Sequence, residues 1–303
     1  MKICVIGSGG QLGLHLFHIF KKNKNFFFFS SSKKKRPFII GNYNNFDNLK
    51  KNLNKIEPSV IINCSAFTNV DRAENDKTEA RYINSKALKI LSKYCYKKNI
   101  ILIHFSTDYV YSGKGKKLWK ESSVCKPVNF YGLTKLDGEK NIKRSKCKYI
   151  IIRLSWLYGE YGGSNFVLKL INLSIKKKNL SMVDDQYGSP TSTELVIFVL
   201  KKILFKIKKK KFNSGVFNLC SANYVNRFIL SRYILNKYYN KINFRPLVIK
   251  KIKTKDLKLV AKRPLNSRMN NNKLSKYLNI KFKNWQYYMD RYINLIKKRK
   301  YAK

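Results

Sequence analysis

The sequence predicts an α/β fold, a doubly wound parallel sheet with a smaller C-terminal α/β lobe. Three observations predict it. The chain opens on a short apolar strand, Ile3 to Ile6, then a glycine turn, Gly7-Ser8-Gly9-Gly10-Gln11-Leu12-Gly13, and then helix periodicity from Leu12 to Phe20. Apolar runs and helical stretches go on alternating to about residue 155, the rhythm of parallel strands joined by crossover helices. The strand ends carry polar residues, at the rim where open α/β sheets bind ligands.

The elements follow in order. Phe26 to Phe29 reads as the second strand, with Ser30-Ser31-Ser32-Lys33-Lys34-Lys35-Arg36 as a basic loop behind it. Asn45 to Lys55 is a helix that Glu57-Pro58 ends, because proline cannot continue one. Ser59 to Asn63 is a strand, Glu79 to Lys98 a long helix, and Ile100 to Phe105 a strand whose end places Thr107 and Asp108 on the rim. Phe130 to Arg144 is helical and Tyr149 to Leu154 is one more strand.

Beyond it, helices are expected over Ser164 to Lys178, Glu194 to Phe205, Asn226 to Tyr239 and from about Trp285. Short strands are expected at Leu180 to Val183 and Gly215 to Leu219, with a polar turn from Asp184 to Thr191 and a solvated basic run from Lys206 to Lys211. Neither an internal repeat nor a long flexible linker separates the halves. The division expected is therefore a dinucleotide-binding core over 1–155, with some later segments returning to it, and a mainly substrate-binding lobe over 156–303.

A chain of 303 residues with 44% hydrophobic content buries a full core. It has no apolar run of 18 residues, and it begins on a strand rather than a leader, so a cytoplasmic protein without a membrane segment is expected. Six scattered cysteines without a C-x-x-C read as reduced core residues. The 65 Lys and Arg against 16 Asp and Glu give a net charge of +49. That excess is spread along the chain with abundant Asn, Ile, Phe and Tyr, the pattern of an AT-rich coding sequence. No recognition helix or base-stacking motif accompanies it, so a specific nucleic-acid partner is not expected.

Two groups of residues carry chemistry. Gly7, Gly10 and Gly13 have G-x-x-G-x-x-G spacing between a strand and a helix, which lets backbone approach a pyrophosphate at the helix N-terminus. No acidic residue stands near the end of the second strand to hold a ribose 2′-hydroxyl. Ser30 and the cations after it would instead tolerate or attract the 2′-phosphate of NADP. The second group is Thr107, Tyr131 and Lys135. Tyr131 and Lys135 are four apart and share a helix face. A lysine ammonium there should draw the phenol from about 10 towards neutrality, while the Thr107 hydroxyl positions the oxygen that receives the proton. The histidines His15 and His18 lack further ligands, so no metal is expected.

Taken together these residues resemble the extended short-chain dehydrogenase/reductase superfamily, and within it the dTDP-4-dehydrorhamnose reductases. The likeness runs through Gly7 to Gly13, Asn63 to Glu74, Ser106 to Tyr111 and Tyr131 to Lys135. It continues through Arg153 to Tyr158, Asp185 to Thr191, and Arg263-Pro264 with Ser267. It implies a Rossmann-like fold, NADPH or NADH as cofactor, and reduction of the C4 keto group of a nucleotide sugar, dTDP-4-dehydro-L-rhamnose. Tyr131 would donate the proton, Lys135 would lower its pKa and bind the nicotinamide ribose, and Thr107 would hold the keto oxygen. Gly10, Gln11 and Leu12 would meet the pyrophosphate, and Asn42 and Tyr43 the adenine. Ala66, Phe67, Thr68 and Phe105 would line the rest of the cofactor site, and Asp108 and Trp156 would contact substrate. A homodimer is the assembly the resemblance allows.

The family usually has Asp where Asn42 stands, and histidine or a small polar residue where Phe67 stands. Other nucleotide-sugar enzymes of the superfamily are the nearest alternative. Dehydratases, however, place an Asp-Glu pair after the threonine, and this chain has Asp108-Tyr109. A regulatory subunit like that of methionine adenosyltransferase shares the fold, but the intact trio favours an enzyme.

Overall fold

Alternation along the strands decides the layering. The computed structural model describes residues 1–30, 39–41, 43–162, 165–177, 179–239 and 248–301. In strand β1 (Ile3–Ile6) all four side chains are buried; Ile3 and Val5 join one core, Cys4 and Ile6 the other. Period-two geometry sends successive side chains to opposite faces, so a strand covered on both sides must be apolar throughout. The same split recurs in β4 (Val60–Asn63), β5 (Ile101–Thr107) and β6 (Tyr149–Leu154).

With β2 (Phe26–Ser30), β3 (Ile39–Ile40) and Gly215–Leu219 these strands form a seven-stranded sheet. Its order is Gly215–Leu219, β6, β5, β4, β1, β2, β3, and every pairing is parallel. β1 is flanked by β2 and β4, so the winding reverses there and the strand ends open a crevice. Gly215–Leu219 is the later segment that comes back to the sheet.

Helices cover both faces. Helix α1 (Gln11–Phe20) and Thr193–Lys208 pack on the Ile3 face. Helix α2 (Phe46–Ile56) packs on the Cys4 face; Asn45 caps its first turn, and the left-handed Glu57 before Pro58 ends it. The long helix expected from Glu79 to Lys98 is a composite. A four-residue helix, α3 (Arg72–Asn75), precedes α4 (Lys77–Arg81). A π turn, Tyr82–Lys86, then leads into α5 (Ala87–Lys97). The π turn delivers Asn84, whose amide bonds Phe67 N–H and carbonyl at 2.9 and 3.0 Å and the Thr134 hydroxyl at 3.1 Å. Helix α6 (Phe130–Arg144) lies against that turn, and a Cβ at Gly138 would meet the Asn84 carbonyl at 2.2 Å.

In the second half, the expected strand at Leu180 to Val183 is Asn179–Val183. It pairs with Val248–Ile252, a strand the sequence did not announce. The helix expected from Glu194 to Phe205 runs on to Lys208, so the basic run is partly helical, because Ile207 there is buried. Among the described residues no helix is long and apolar enough to cross a membrane.

Candidate active site

The glycine loop is tight at its two ends and open in the middle. Gly7 is left-handed (φ 84°), and a Cβ on it would meet Ser65 N at 2.5 Å; one on Gly13 would meet the Gly7 carbonyl at 2.2 Å. Only glycine fits either position. Among the described residues a Cβ on Gly10 would meet nothing nearer than 3.5 Å, which leaves room for a ligand at the face before α1. Leu12 is buried beneath it. Gln11 sits under Gly162, and its Nε2 is buried without a hydrogen-bond partner among the described residues. Ser30 is buried at the end of β2, its Oγ 3.0 Å from where a Gly9 Cβ would stand. Asn42 and the basic loop from Ser31 to Arg36 lie outside the described residues.

Tyr131 sits in the first turn of α6, which Asn129 caps by accepting the Gly132 N–H at 2.8 Å. Gly132 lets this turn lie on the backbone beyond β5, since a Cβ there would be 2.2 Å from the Tyr109 carbonyl. The phenol is thereby brought to Thr107, whose hydrogen bond favours its ionised form. Its ring meets Tyr109 edge-on at 5.7 Å. Thr107 and Tyr131 thus meet at the end of β5, and Lys135 reaches the Phe105 carbonyl of the same strand.

The expected electrostatics need correction. The Tyr131 phenol is raised above its ordinary value, not drawn towards neutrality, because burial outweighs the Thr107 bond. Lys135 is fully buried, and its Nζ donates to the Phe105 carbonyl at 2.7 Å and lies 3.3 Å from His104 Nε2. Burial pulls the lysine down to about 8, against the pull of Glu139.

Behind the trio is a buried polar network that sequence reading missed. Even-numbered β5 residues face α6, so His104 meets Lys135, and Ser106 donates to Glu139 at 2.5 Å. Arg153 of β6, in register with Ser106, clasps Glu139 at 2.9 and 2.6 Å and donates to the Tyr111 hydroxyl at 2.8 Å. Asn63 of β4 bonds His104 Nδ1 at 2.9 Å and accepts the Tyr43 hydroxyl at 2.6 Å. Tyr43, expected beside adenine, therefore has its hydroxyl turned into this network. The signal was available: Asn63, His104, Ser106 and Arg153 interrupt apolar strands at sheet-facing positions, where an unpaired polar group is costly.

Ala66, Phe67 and Thr68 follow β4. Phe67 is buried against Ala73 and Ala80 and packs with Tyr131, whereas Thr68 is exposed. Asp71 pairs with Arg263 and accepts the Ala261 N–H at 3.0 Å, fastening the C-terminal segment over the start of α6. Asp108 is buried; Oδ1 accepts from Thr107 at 3.1 Å, and the Ser267 hydroxyl also acts on the carboxylate. Trp156 holds a left-handed backbone (φ 46°), and the Arg227 guanidinium lies 3.5 Å from its ring centroid. Arg227 also feels Asp108, and burial lowers it to about 10. Asp108 thus acts on Tyr131, and Arg227 links Asp108 to Trp156; Arg227 had no motif to announce it.

Burial pushes the Asp108 carboxyl from 3.8 up to about 6, neighbouring hydroxyls and Arg227 opposing. Between these values the folded chain holds a proton that the unfolded chain has lost, so stability falls as pH rises through the window and the penalty is complete above it. Asp108→Asn is expected to stabilise the protein by up to about 3 kcal/mol at pH 8 and to lose that gain towards pH 4. Thermal unfolding of both proteins across pH checks this.

Elsewhere, His15 Nδ1 lies 2.6 Å from the Thr193 hydroxyl and His18 stacks on Tyr161, ordinary helix positions. Asp185 caps the turn at Thr254, and Asp184 pairs with Lys253. All six cysteines are unpaired.

The chain matches a family of known proteins over nearly its whole length. The model of the RmlD substrate binding domain matches residues 1–298. The chain is 30% identical over 288 residues to a dTDP-4-dehydrorhamnose reductase of Aggregatibacter actinomycetemcomitans, covering 94% of this chain and 96% of that one. To the reductase of Shigella flexneri it is 28% identical over 295 residues, 97% of each. Among solved structures it resembles the Clostridium acetobutylicum reductase at TM-score 0.83 and 30% identity, covering 98% and 100% of the two chains. It resembles the Bacillus anthracis reductase in complex with NADP at TM-score 0.83 and 27% identity, covering 96% and 99%. The chain belongs to the RmlD substrate-binding-domain family, that of the dTDP-4-dehydrorhamnose reductases.

Proposed function

We propose that this protein works in the cytoplasm and reduces the C4 keto group of dTDP-4-dehydro-L-rhamnose, giving dTDP-L-rhamnose, with NADPH or NADH as hydride donor. The observation that carries the reading is the convergence of Tyr131, Thr107 and Lys135 at the strand rim where a doubly wound sheet binds its ligands. The six unpaired cysteines suit a reducing compartment.

The loop fits a dinucleotide. Gly7 and Gly13 shape it, Gly10 leaves the approach open, and the orphaned Gln11 amide supplies a buried donor beside it. In this reading Gly10, Gln11 and Leu12 meet the pyrophosphate. Ser30 and Tyr43 lie towards the adenosine, and the adenine contact expected of Asn42 falls outside the described residues. Ala66, Phe67, Thr68 and Phe105 line the remainder. The bound nicotinamide supplies the hydride. Tyr131 gives its proton to the sugar oxygen, Thr107 holds that oxygen, and Lys135 binds the nicotinamide ribose and favours the phenolate that forms. Asp108 and Trp156 contact the sugar nucleotide. We assign cofactor binding to 1–155 with the returning strand Gly215–Leu219, and substrate binding mainly to 156–303.

Following NADPH absorbance tests the proposal: oxidation must require the keto-sugar. Gly13→Ala drives a methyl into the Gly7 carbonyl and is expected to weaken NADPH binding by about tenfold or more. Fluorescence titration of the cofactor measures it.

A further inference from the structure

We infer that His104 is a positioning residue for Lys135: locked in one tautomer by Asn63, it turns an N–H towards the lysine nitrogen and so fixes where that nitrogen's lone pair points. The inference rests on the reductase reading for its consequence, but its geometry stands alone.

The Asn63 amide cannot flip. Its Oδ1 accepts the backbone N–H of Ser65 at 3.1 Å, an unambiguous donor, and the Tyr43 hydroxyl at 2.6 Å. Its Nδ2 must then be the atom 2.9 Å from His104 Nδ1, to which it donates. Nδ1 is therefore an acceptor, and a neutral imidazole carries its proton on Nε2. That atom stands 3.3 Å from Lys135 Nζ. His104 is wholly buried, and burial keeps it far below its ordinary value, hence neutral.

An ammonium at Lys135 would set N–H against N–H. A neutral amine accepts from Nε2–H with its lone pair, donates one N–H to the Phe105 carbonyl at 2.7 Å, and keeps the other for the site. The titratable groups acting on Lys135 are His104 from β5 and Glu139 from α6, with Tyr131 one turn earlier on the same helix. The Glu139 charge is held by Arg153 of β6, and the π turn presents the neutral Asn84 to this helix. His104 therefore opposes the ammonium form of Lys135 and lowers the pH at which the amine gains its proton.

Two measurements test this, neither using turnover. Long-range ¹H–¹⁵N correlation of histidine-labelled protein should show His104 neutral with its proton on Nε2 from about pH 6 to 9; an Nδ1–H tautomer or an imidazolium overturns the inference. The ¹³Cε resonance of Lys135, assigned by its loss in Lys135→Met, reports the lysine's titration. His104→Gln can offer the ammonium an amide oxygen, and the midpoint should rise by about one pH unit. A midpoint that stays put overturns the inference even if activity falls, since a purely structural residue would lower activity without moving it. Should His104→Gln fail to fold, the tautomer spectrum of the unaltered protein still decides. A protein with the predicted tautomer but no sugar-dependent NADPH oxidation would refute the reductase reading and leave the His104 assignment intact.

Discussion

Tyr131→Phe is expected to lower kcat by about 10²–10⁴-fold, the range a positioned general acid contributes, and to leave NADPH affinity within about twofold. The ring stays, so packing against Tyr109 and Phe67 survives; only the hydroxyl beside Thr107 is lost. In the chain alone burial holds that phenol protonated, which is the form a proton donor must start from. Lys135→Ala should behave differently and lose both turnover and cofactor affinity, because the amine serves both. Steady-state kinetics alongside fluorescence titration separate the two variants. Full activity in Tyr131→Phe would remove the phenol from the mechanism.

Glu139→Gln is expected to destabilise the protein by about 3–5 kcal/mol, the cost of leaving a buried partner charge uncompensated. Arg153 and Glu139 are 2% and 0% exposed, and the guanidinium has no water to fall back on. Against a total stability of about 5–15 kcal/mol, this is a large share of the whole, and at the low end of that range it unfolds much of the population. Glu139→Leu combined with Arg153→Met should recover most of the loss, since removing both charges removes the desolvation cost of each. Denaturant melts of the single and double variants measure the coupling. A single variant as stable as the parent would show that the pair is solvated.

The active-site trio was legible because its signals are local. Tyr131 and Lys135 lie one helical turn apart, and Thr107 follows an apolar run that ends where a buried strand should. The glycine loop was legible for the same reason. The Glu139–Arg153 clasp and the Asn63–His104–Lys135 chain were not, because each joins adjacent strands to a helix many residues away. Inside a run such as Ile100 to Phe105 a histidine reads as one more strand residue. Which strands are neighbours, and in what register, is needed to see that His104 stands beside Asn63 and Ser106 beside Arg153. The tyrosine's pKa was misjudged on similar grounds, since spacing on a helix gives proximity but not burial. Val248–Ile252 escaped notice because two lysines and an exposed face hide its alternation, and only its partner Asn179–Val183 makes it a strand.

The most direct test of the central claim follows the hydride itself. The protein is incubated with NADPH deuterated at the nicotinamide C4 and with dTDP-4-dehydro-L-rhamnose, and the product is analysed by NMR and mass spectrometry. The account predicts dTDP-L-rhamnose carrying deuterium at C4 of the sugar, formed in step with NADPH oxidation and abolished in Tyr131→Phe. Keto-sugar recovered unlabelled with NADPH unconsumed, although both are bound, would contradict it.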